Sequence, residues 1–523
     1  MHESTLLHEL VALSAARDPS ADALVYGGRS VSYGDLASQV EQFAFGVLAL
    51  GLAPGERVGI YLEKRAEAVI ASLGTPAAGG VFVPVNPLLK ADQVAYILSD
   101  CNVRVLVTSP ERYGLLGDVL AGCHDLRQVV LTAASPDPAN TALIAWSDLL
   151  SAPPRPSHRR IDTDVVAILY TSGSTGRPKG VVLSHRNMVA GAKSVASYLE
   201  NHSGDTLLAA LPLSFDAGFS QLTTAFHVGA RVVLLNYLLP KDVLNALVRE
   251  RVTGLTAVPP LYIQLSQLEF PESITDHLRY FANTGGRMPL ETLRKLRAAL
   301  PRSKPFLMYG LTEAFRSTYL PPEQVDRRPD SIGQAIPNAE ILVLREDGTS
   351  CAPNEPGELV HRGALVGMGY WNDPEKTAER YRPLPRRESG LVLPEIAVFS
   401  GDTVRMDEEG FLYFIGRRDE MIKTSGYRVS PTEIEEVLYG TQLVAEVAAF
   451  GVPHESLGQA IVVVATPRGG DPLDARELLA ACKDRLPAYM IPARVDIRSG
   501  SLPRNANGKI DRKSLAAEFV EIQ

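Results

Sequence analysis

The sequence predicts an α/β protein with a large N-terminal domain, built from mixed or parallel sheets with crossover helices and carrying a β-rich subdomain. A small α+β domain is expected to follow it. Three observations predict this class. Helix-like and strand-like segments alternate between residues 32 and 107, the same alternation returns after residue 160, and a new set of elements begins after a charged run at 417–420. Alternation of this kind is typical of parallel strands joined by helices.

The first alternating region begins with Ser32–Leu50, in which apolar residues recur at helical spacing and predict an amphipathic helix. Short apolar runs and further helical patterns follow it in turn. They are strand Arg57–Leu62, helix Ala66–Leu73, strand Val81–Val85, helix Asp92–Ser99 and strand Val103–Val107. The second region repeats the pattern with strand Val165–Tyr170, a helix from Ser184, and strands Thr206–Leu211 and Ala230–Leu235.

Two segments are predicted to connect parts of the chain. Ala152–Arg160 is rich in proline and arginine, which favours an exposed connection. Gly410–Gly416 ends a β-rich region, so we expect one domain over residues 1–416 and a second over residues 417–523. The second should contain helix Ser430–Tyr439, strands Val444–Val452 and Ala460–Thr466, helix Asp474–Arg485 and a basic tail.

Composition excludes several classes of protein. The chain has 523 residues, 45% of them apolar and 21% charged, which is typical of a globular protein with several cores. Its net charge of −8 argues against a nucleic-acid partner. The four cysteines show no metal-ligand spacing and are expected to be reduced thiols of a cytoplasmic protein. No signal peptide is predicted, because Glu3, His8 and Glu9 lie among the N-terminal leucines. No membrane span is predicted, because glycine and proline interrupt the uncharged stretch Ala68–Pro87.

A loop with the composition of a phosphate site lies within Ala167–Ser184, which reads AILYTSGSTGRPKGVVLS. Glycines let backbone N–H groups approach an anion, hydroxyl groups donate further hydrogen bonds, and Lys179 supplies a positive charge. A flexible surface turn has the same composition, so composition alone leaves both interpretations open. The P-loop of kinase-like NTPases is excluded, because Gly180 rather than serine or threonine follows Lys179.

The string YTSGSTGRPKG at Tyr170–Gly180 resembles the signature loop of the adenylate-forming superfamily, which includes acyl-CoA ligases, nonribosomal-peptide adenylation domains and firefly luciferase. The resemblance implies the fold described above and an ATP site. The loop residues that it assigns to the nucleotide are Thr171, Ser172, Gly173, Ser174, Thr175, Gly176 and Lys179.

Further motifs of that superfamily follow in the expected order. Tyr309–Ala314 (YGLTEA) resembles the adenine and metal motif, which implies that Tyr309 stacks on adenine, Thr312 contacts phosphate and Glu313 holds Mg²⁺. Taken alone, this string would be a strand-to-helix turn with an acidic residue at the helix start. Thr284–Pro289 (TGGRMP) matches a glycine-rich segment and places Gly285 beside the nucleotide.

The motifs at the domain junction concern the ribose and the thiol. Ser400–Asp402 (SGD) resembles a motif whose aspartate binds both ribose hydroxyls, although a turn aspartate would look the same. Gly416–Arg428 matches the junction motif and implies three roles. They are Arg417 as the second ribose ligand, Asp419 as the hinge and Gly426 beside the passing pantetheine chain.

Near the chain end, Pro503–Lys513 reads PRNANGKIDRK, and the resemblance makes Lys509 the catalytic lysine, with Thr312 and Glu313 completing the catalytic set. Without it, a lysine in a basic tail would simply be solvated. The implied function is activation of a carboxylic acid by ATP and Mg²⁺ to an acyl-adenylate, then acyl transfer to CoA or to the phosphopantetheine of an acyl carrier protein. The alternatives are a free-standing amino-acid-adenylating enzyme that loads a carrier protein, a luciferase-like oxygenase and a catalytically inactive nucleotide-binding regulator.

The acyl pocket is expected at Phe215, Asp216, Pro259, Gly286 and Gly310. Asp216 has two open interpretations. It could pair with a substrate ammonium group, as in amino-acid-activating domains, or it could cap the following helix or form an Asx turn. The strings at 211–222 and 306–340 also resemble acyl-CoA ligases associated with bacterial exosortase A systems.

Overall fold

A computed structural model describes residues 3–133, 142–171, 178–384, 392–417, 420–424, 427–454, 457–469, 473–486, 488–505 and 508–519. Its helices, in chain order, are α1 Glu9–Arg17, α2 Tyr33–Ala49, α3 Ala66–Ala78, α4 Ala91–Asp100, α5 Pro110–Leu116, α6 Trp146–Leu150, α7 His185–Tyr198, α8 Asp216–Val228, α9 Pro240–Arg249, α10 Pro259–Leu265, α11 Leu290–Ala299, α12 Pro374–Arg380, α13 Pro431–Tyr439, α14 Ala475–Arg485 and α15 Arg512–Ala517.

The strands, in chain order, are β1 Asp22–Tyr26, β2 Arg29–Ser32, β3 Arg57–Tyr61, β4 Val81–Pro84, β5 Val103–Thr108, β6 Gln128–Leu131, β7 Leu143–Ala145, β8 Val165–Thr171, β9 Lys179–Ser184, β10 Thr206–Ala209, β11 Arg231–Leu234, β12 Gly254–Ala257, β13 Tyr280–Asn283, β14 Lys304–Tyr309, β15 Thr318–Leu320, β16 Gln334–Ala335, β17 Ala339–Leu344, β18 Gly357–Gly363, β19 Tyr381–Pro383, β20 Ile396–Met406, β21 Leu412–Arg417, β22 Ile422–Thr424, β23 Tyr427–Val429, β24 Val444–His454, β25 Gly458–Pro467 and β26 Arg494–Ile497.

Two sheets form the large part of the molecule. One has the order β7-β6-β5-β3-β4-β8-β9, and the other has the order β16-β15-β14-β13-β12-β10-β11-β1-β2. Strands β10 to β14 are joined in parallel, and only the outer strands β15 and β16 and the β1–β2 and β8–β9 hairpins pair antiparallel. The predicted class, mixed or parallel sheets with crossover helices, is therefore confirmed.

The main apolar core lies between these sheets and the helices α2, α3, α7 and α8. Phe82 of β4 stacks on Phe219 of α8, with 4.9 Å between the ring centroids, so a strand of one sheet packs directly on a helix that covers the other. Stacked aromatic rings add packing energy beyond their buried area. This contact fixes α8, whose first residue is Asp216, relative to the β8–β9 hairpin in the same sheet as β4.

Two smaller sheets complete the fold. The order β17-β18-β20-β19, with β21 on β20, forms the predicted β-rich subdomain. The order β23-β22-β25-β24, with β26 on β25, belongs to the small C-terminal part. The core beneath this last sheet is built from residues of the C-terminal part, among them Ile434, Leu438, Ile461 and Leu478.

Element bounds differ from the predicted ones in places that local geometry explains. Helix α3 continues past Leu73 to Ala78 and ends where Gly79 adopts a left-handed φ of 88°, which glycine permits without strain. The predicted connection Ala152–Arg160 has no regular structure, but Arg160 Nε donates to the Gly79 carbonyl oxygen at 2.9 Å and so ties it to α3. Within the described residues, no helix has both the length and the apolar character needed to cross a membrane.

Candidate active site

Neighbouring parallel strands bring predicted site residues together at their carboxyl ends. Asp216 follows β10, Pro259 follows β12, Gly285 follows β13 and Tyr309 is the last residue of β14. These strands pair in parallel in the order β10-β12-β13-β14. Ligands of open α/β sheets bind in the crevice outside these ends. Residues that are more than 90 positions apart in sequence thus line one edge of a single sheet.

Asp402 and Arg417 are placed side by side by the antiparallel register of β20 and β21. Arg417 Nε lies 3.7 Å from Asp402 Oδ1. The Tyr309 hydroxyl donates a hydrogen bond to Asp402 Oδ2, whereas Oδ1 is buried and accepts no hydrogen bond from the part of the chain that the structure describes. A buried carboxylate oxygen with an unused lone pair suits a hydroxyl donor, so these three residues fit a ribose.

Burial dominates the electrostatics of this group. It raises the pKa of Asp402, while the nearby Arg417 charge and the Tyr309 hydrogen bond act in the opposite direction. Burial and the Asp402 charge also raise the pKa of Tyr309 well above its ordinary value, so the phenol remains a hydrogen-bond donor. A ligand hydroxyl that donated to Oδ1 would further stabilise the ionised carboxylate.

Glu313 is fixed through both its backbone and its side chain. Gly367 N donates to the Glu313 carbonyl oxygen at 2.8 Å, and the Tyr370 hydroxyl donates to Glu313 Oε1 at 2.6 Å. Lys179 Nζ lies 5.4 Å from the centroid of the Tyr370 ring. Tyr370 therefore contacts both the predicted metal ligand and the lysine at the mouth of the β8–β9 hairpin.

Several predicted residues flank or fall outside the described structure. Thr171 and Lys179 pair across the mouth of the β8–β9 hairpin, and Thr312 begins the short helical turn that contains Glu313. The residues that lie outside the described ranges are Ser172, Gly173, Ser174, Thr175 and Gly176 of the loop, Asp419 and Gly426.

Lys509 lies at the end of a tight turn in the C-terminal part. Asn505 N donates to the Lys509 carbonyl oxygen at 2.8 Å, which closes the turn. Lys509 is exposed to solvent as a whole. Desolvation by the protein around its ammonium group nevertheless lowers the pKa of Lys509, and the nearby Arg417 charge lowers it further. The charges of Asp402 and Asp216 act on it in the opposite direction. The charges of these carboxylates therefore act on the Lys509 ammonium group.

Polar contacts at α11 and α13, and in the segments next to them, connect the small part to the large part. Glu436 Oε1 accepts a hydrogen bond from the Leu290 N–H at 3.1 Å, at the first residue of α11, and Glu436 Oε2 lies 4.0 Å from Arg287 Nε. Gln442 Nε2 donates to Glu291 Oε1 at 2.8 Å. A carboxylate at a helix N-terminus is favourable for the free N–H groups and the dipole there.

The predicted acyl-pocket residue Asp216 has a partner that the sequence did not indicate. Phe215 occupies the N-cap of α8, and no side-chain capping bond is formed there. Arg316 Nη1 instead donates to Asp216 Oδ2 at 3.3 Å. The described structure thus favours neither an ammonium ligand nor a capping role for Asp216, because the carboxylate is already paired with a cation.

The other predicted pocket residues are closely packed. A Cβ atom on Gly286 would lie 3.3 Å from Cγ of Pro259, and one on Gly310 would lie 3.3 Å from Cα of Arg316. Both glycines therefore permit backbone approach next to the sheet edge. Sequence reasoning missed Tyr370, Arg316 and Glu436. Only Arg316 had a sequence signal, its position directly after the YGLTEAF string.

The chain is similar to known proteins in sequence and in structure. Residues 11–371 match the family model of the AMP-binding enzyme, and residues 433–509 match that of the AMP-binding enzyme C-terminal domain. The chain is 32% identical to the L-proline–(L-prolyl-carrier protein) ligase of Pseudomonas fluorescens, over 98% of this chain and 99% of that protein. It is 28% identical to the long-chain-fatty-acid–CoA ligase of Bacillus subtilis, over 98% of this chain and 95% of that protein.

Not every relative is of similar length. The chain spans 6% of a linear gramicidin synthase polypeptide of Brevibacillus parabrevis, to which it is 30% identical. Among solved structures, ATP-bound MatB from Rhodopseudomonas palustris superposes with a TM-score of 0.86 at 27% identity, over 98% of this chain and 99% of that one.

Proposed function

The chain belongs to the AMP-binding enzyme family, and from this membership and the geometry of the site we propose that it activates a carboxylic acid with ATP and transfers the acyl group to a thiol. The observation that carries the proposal is the buried Oδ1 of Asp402 beside Tyr309 and Arg417, which accepts no hydrogen bond from the described residues. In this proposal Asp402 would accept from the ribose, Tyr309 would supply an aromatic face and Lys509 would supply a cation.

In the proposed first step, a carboxylate oxygen attacks the α-phosphorus of ATP. The new P–O bond gives acyl-AMP, and the bond to pyrophosphate breaks. Lys509 would stabilise the charge that develops between the carboxylate and the α-phosphate, because a preorganised cation acts strongly where water is partly excluded. Thr312, at the start of the turn after β14, would donate to a phosphate oxygen, as would the loop from Thr171 to Lys179.

Mg²⁺ fits this site as a partner of the triphosphate rather than as a resident metal. Among the residues that the structure describes, His, Cys, Asp and Glu side chains form no cluster of three or more suited to a metal ion. Mg²⁺ is commonly held by one or two carboxylates together with substrate phosphates, and it neutralises their charge. Glu313, oriented by Tyr370, is the carboxylate that would hold it.

In the second step, the sulfur of a thiol attacks the acyl carbonyl carbon, a thioester forms, the thiol proton passes to solvent and AMP leaves. Lys509 would obstruct this step if it remained in place. We propose that residues 417–523 form a lid that rotates about Asp419 and replaces Lys509 with the Gly426 face. The separate core beneath β22–β26 and the polar contacts of Glu436 support a unit that can move as a whole.

The acceptor is CoA or the phosphopantetheine of an acyl carrier protein. A free-standing enzyme that adenylates an amino acid and loads a carrier protein is the second candidate, supported by the likeness to the L-proline ligase. A narrower kinship, with ligases associated with exosortase A systems, is supported by the strings at 211–222 and 306–340. The free thiols Cys101, Cys123, Cys351 and Cys482 support a reducing, cytoplasmic location.

The test is acid-dependent exchange of pyrophosphate into ATP, measured with a panel of fatty, aromatic, hydroxy and amino acids. Exchange that depends on an acid, on Mg²⁺ and on Asp402 is expected, with Asp402→Asn as the site variant and Asp407→Asn as a matched aspartate of the same strand hairpin. CoA and a phosphopantetheinylated carrier protein are then compared as acceptors. The proposal is wrong if ATP binds but no acid promotes exchange.

A further inference from the structure

A cavity lies beneath α8, between that helix, α7 and the strands β10, β12, β13 and β14, and Arg316 and Met308 line it beside the end of β14. Gln221 and Thr224 line it from α8. The cavity has a volume of about 20 Å³ when only positions for the centre of a water molecule are counted. A single water molecule needs about 10–15 Å³ on the same measure. The cavity therefore suits a compact group rather than a long chain.

Arg316 is the charged group of this cavity. Only 3% of its surface is exposed. Its Nη1 atom pairs with Asp216 at 3.3 Å, but its buried Nε atom has no hydrogen-bond partner in the part of the chain that the structure describes. A buried N–H of a cation that lacks an acceptor is costly. The arginine is thus neutralised by Asp216 and still has one donor to satisfy.

The position of Arg316 is imposed by a strained turn. Phe315 has φ 54° and ψ −39°, a positive φ that is unfavourable for an aromatic residue, and the Arg316 N–H donates to the Ala314 carbonyl oxygen at 2.6 Å. This is a γ-turn with positive φ, which is rare and strained. Packing maintains it, because the Phe315 ring is fully buried and a Cβ on Gly191 would lie 2.3 Å from that ring. Strain of this kind is found where function requires an exact side-chain position.

Two further polar atoms of the cavity wall lack partners. Gln221 Oε1 and Thr224 Oγ1 are buried without a hydrogen bond within the described ranges. Gln221 Nε2 donates to the Leu208 carbonyl oxygen at 2.7 Å, which fixes the amide with its oxygen as the unused acceptor. The residues that line the cavity therefore include an unused donor on Arg316, an unused acceptor on Gln221 and a hydroxyl on Thr224.

From this set we infer that the acid activated at this site is a compact one whose tail bears an uncharged hydroxyl group. The inference rests on the proposed function and names its substrate class. A hydroxyl group is both an acceptor and a donor, so it matches Arg316 Nε as a donor and Gln221 Oε1 as an acceptor. The Thr224 hydroxyl can then donate to the same oxygen.

The same wall disfavours three other classes of acid. An ammonium group would meet the guanidinium of Arg316, which already occupies Asp216. A second carboxylate would add a charge to a neutral pair and face the acceptor Gln221 Oε1. An unsubstituted alkyl tail would leave Arg316 Nε and Gln221 Oε1 unpaired. A site built to hydrogen-bond a substrate hydroxyl rejects the analogue without it strongly, by at least about 100-fold.

The experiment uses the full-length protein and matched acid sets. The aliphatic set is butyrate, its hydroxy and amino derivatives at each carbon, and the dicarboxylic acid succinate. The aromatic set is benzoate, its hydroxy and amino derivatives, and the dicarboxylic acid phthalate. The kcat/KM for acid-dependent pyrophosphate release is measured for each. A hydroxy acid should exceed its unsubstituted parent by at least about 100-fold, and Arg316→Met and Gln221→Leu should each reduce that ratio at least about tenfold. Arg186→Met, an exposed arginine paired with Asp162, should leave the ratio unchanged.

The possible results separate the two proposals. If an amino, dicarboxylic or unsubstituted acid has a higher kcat/KM than the matching hydroxy acid, the hydroxy-acid inference is overturned and the proposed function still stands. The same conclusion follows if neither Arg316→Met nor Gln221→Leu changes the ratio of kcat/KM between the hydroxy acid and its unsubstituted parent. If no acid of these sets and no long-chain fatty acid promotes pyrophosphate release, the proposed function fails as well. Gln221→Leu leaves the Asp216–Arg316 pair intact, so it tests the inference even if Arg316→Met does not fold.

Discussion

The hydroxyl group of Tyr370 lies 2.6 Å from Oε1 of Glu313 and orients this carboxylate from a segment more than 50 residues away in sequence. The Tyr370 backbone is itself fixed, because it forms a bridge with Val181 of β9. Glu313 is thus linked to the strand that carries Lys179.

Tyr370→Phe should weaken the use of Mg²⁺ without removing it. Groups that orient a metal ligand typically change affinity or activity by about 10–100-fold, so the Mg²⁺ concentration for half-maximal pyrophosphate release should rise within that range. Tyr413→Phe is the matched control, since its hydroxyl donates to Asp407 at 3.1 Å, away from the site. An unaltered Mg²⁺ dependence in Tyr370→Phe would remove this role.

Lys509→Ala should separate the two half-reactions. Adenylate formation should fall by at least about 100-fold, because the removed cation faces the developing charge, whereas transfer from preformed acyl-AMP to the thiol should be largely retained. Acid-dependent pyrophosphate release and thioester formation from synthetic acyl-AMP measure the two steps. Lys483→Ala, at an exposed position of α14, is the control. Equal loss of both steps would contradict a lid that alternates between two orientations.

The Asp216–Arg316 pair should be visible in stability. Arg316 and Asp216 side chains are 4% and 15% exposed, and removal of one member of such a pair costs about 3 kcal/mol because it leaves the other charge buried. We expect Asp216→Asn and Arg316→Met to lower the urea midpoint separately, and the double variant to lower it by less than the sum. Additive losses would indicate that the two side chains do not interact.

Reversing the charge at Glu436 should disfavour the described orientation of the small part. Glu436→Lys replaces an acceptor of the Leu290 N–H with a cation beside Arg287 and a helix N-terminus. Adenylate formation should fall severalfold relative to thioester formation, and added salt should reduce the difference by screening. Glu477→Lys, in the first turn of α14, is the control. An unchanged ratio of the two rates would mean that this contact does not set the orientation.

Acid should destabilise the protein through His185. Burial lowers its pKa from 6.5 to about 4, and its Nδ1 accepts the Leu7 N–H at 3.0 Å. Between these values the unfolded chain binds more protons than the folded one, so stability falls as the pH drops from about 6.5 to about 4, by up to about 3 kcal/mol. His185→Gln should flatten the fall of the urea midpoint, and His124→Gln, exposed, should not. Parallel pH profiles for all three proteins would refute the assignment.

The sequence predicted the fold class because periodicity reports the local elements, and alternating helices and strands restrict the topology. Segments such as Arg57–Leu62 and Val103–Val107 lie within one residue of observed strand ends. The motif residues Tyr309, Asp402 and Arg417 were nameable because each belongs to a recognisable string. Their grouping at one edge is a consequence of strand order, which local patterns do not contain.

What could not be predicted are contacts between side chains that are distant in sequence. Nothing in the string around Tyr370 indicates that its hydroxyl reaches Glu313. The sequence indicates no partner for the Asp216 carboxylate, so a substrate ammonium group and a capping role were its two interpretations. Arg316 is the partner of that carboxylate, because the turn at Phe315 reverses the chain at an unfavourable φ, and backbone strain has no sequence signature.

Strand β21 pairs with β20 at the candidate ribose site, and its last residue leads into the domain junction. Arg417, opposite Asp402, is the last residue of β21, and the proposed hinge Asp419 comes two residues later in the sequence. A torsion about that hinge would therefore act close to the backbone that carries Arg417. Nucleotide release and swinging of the lid would then share a single mechanical element, and their rates should vary together.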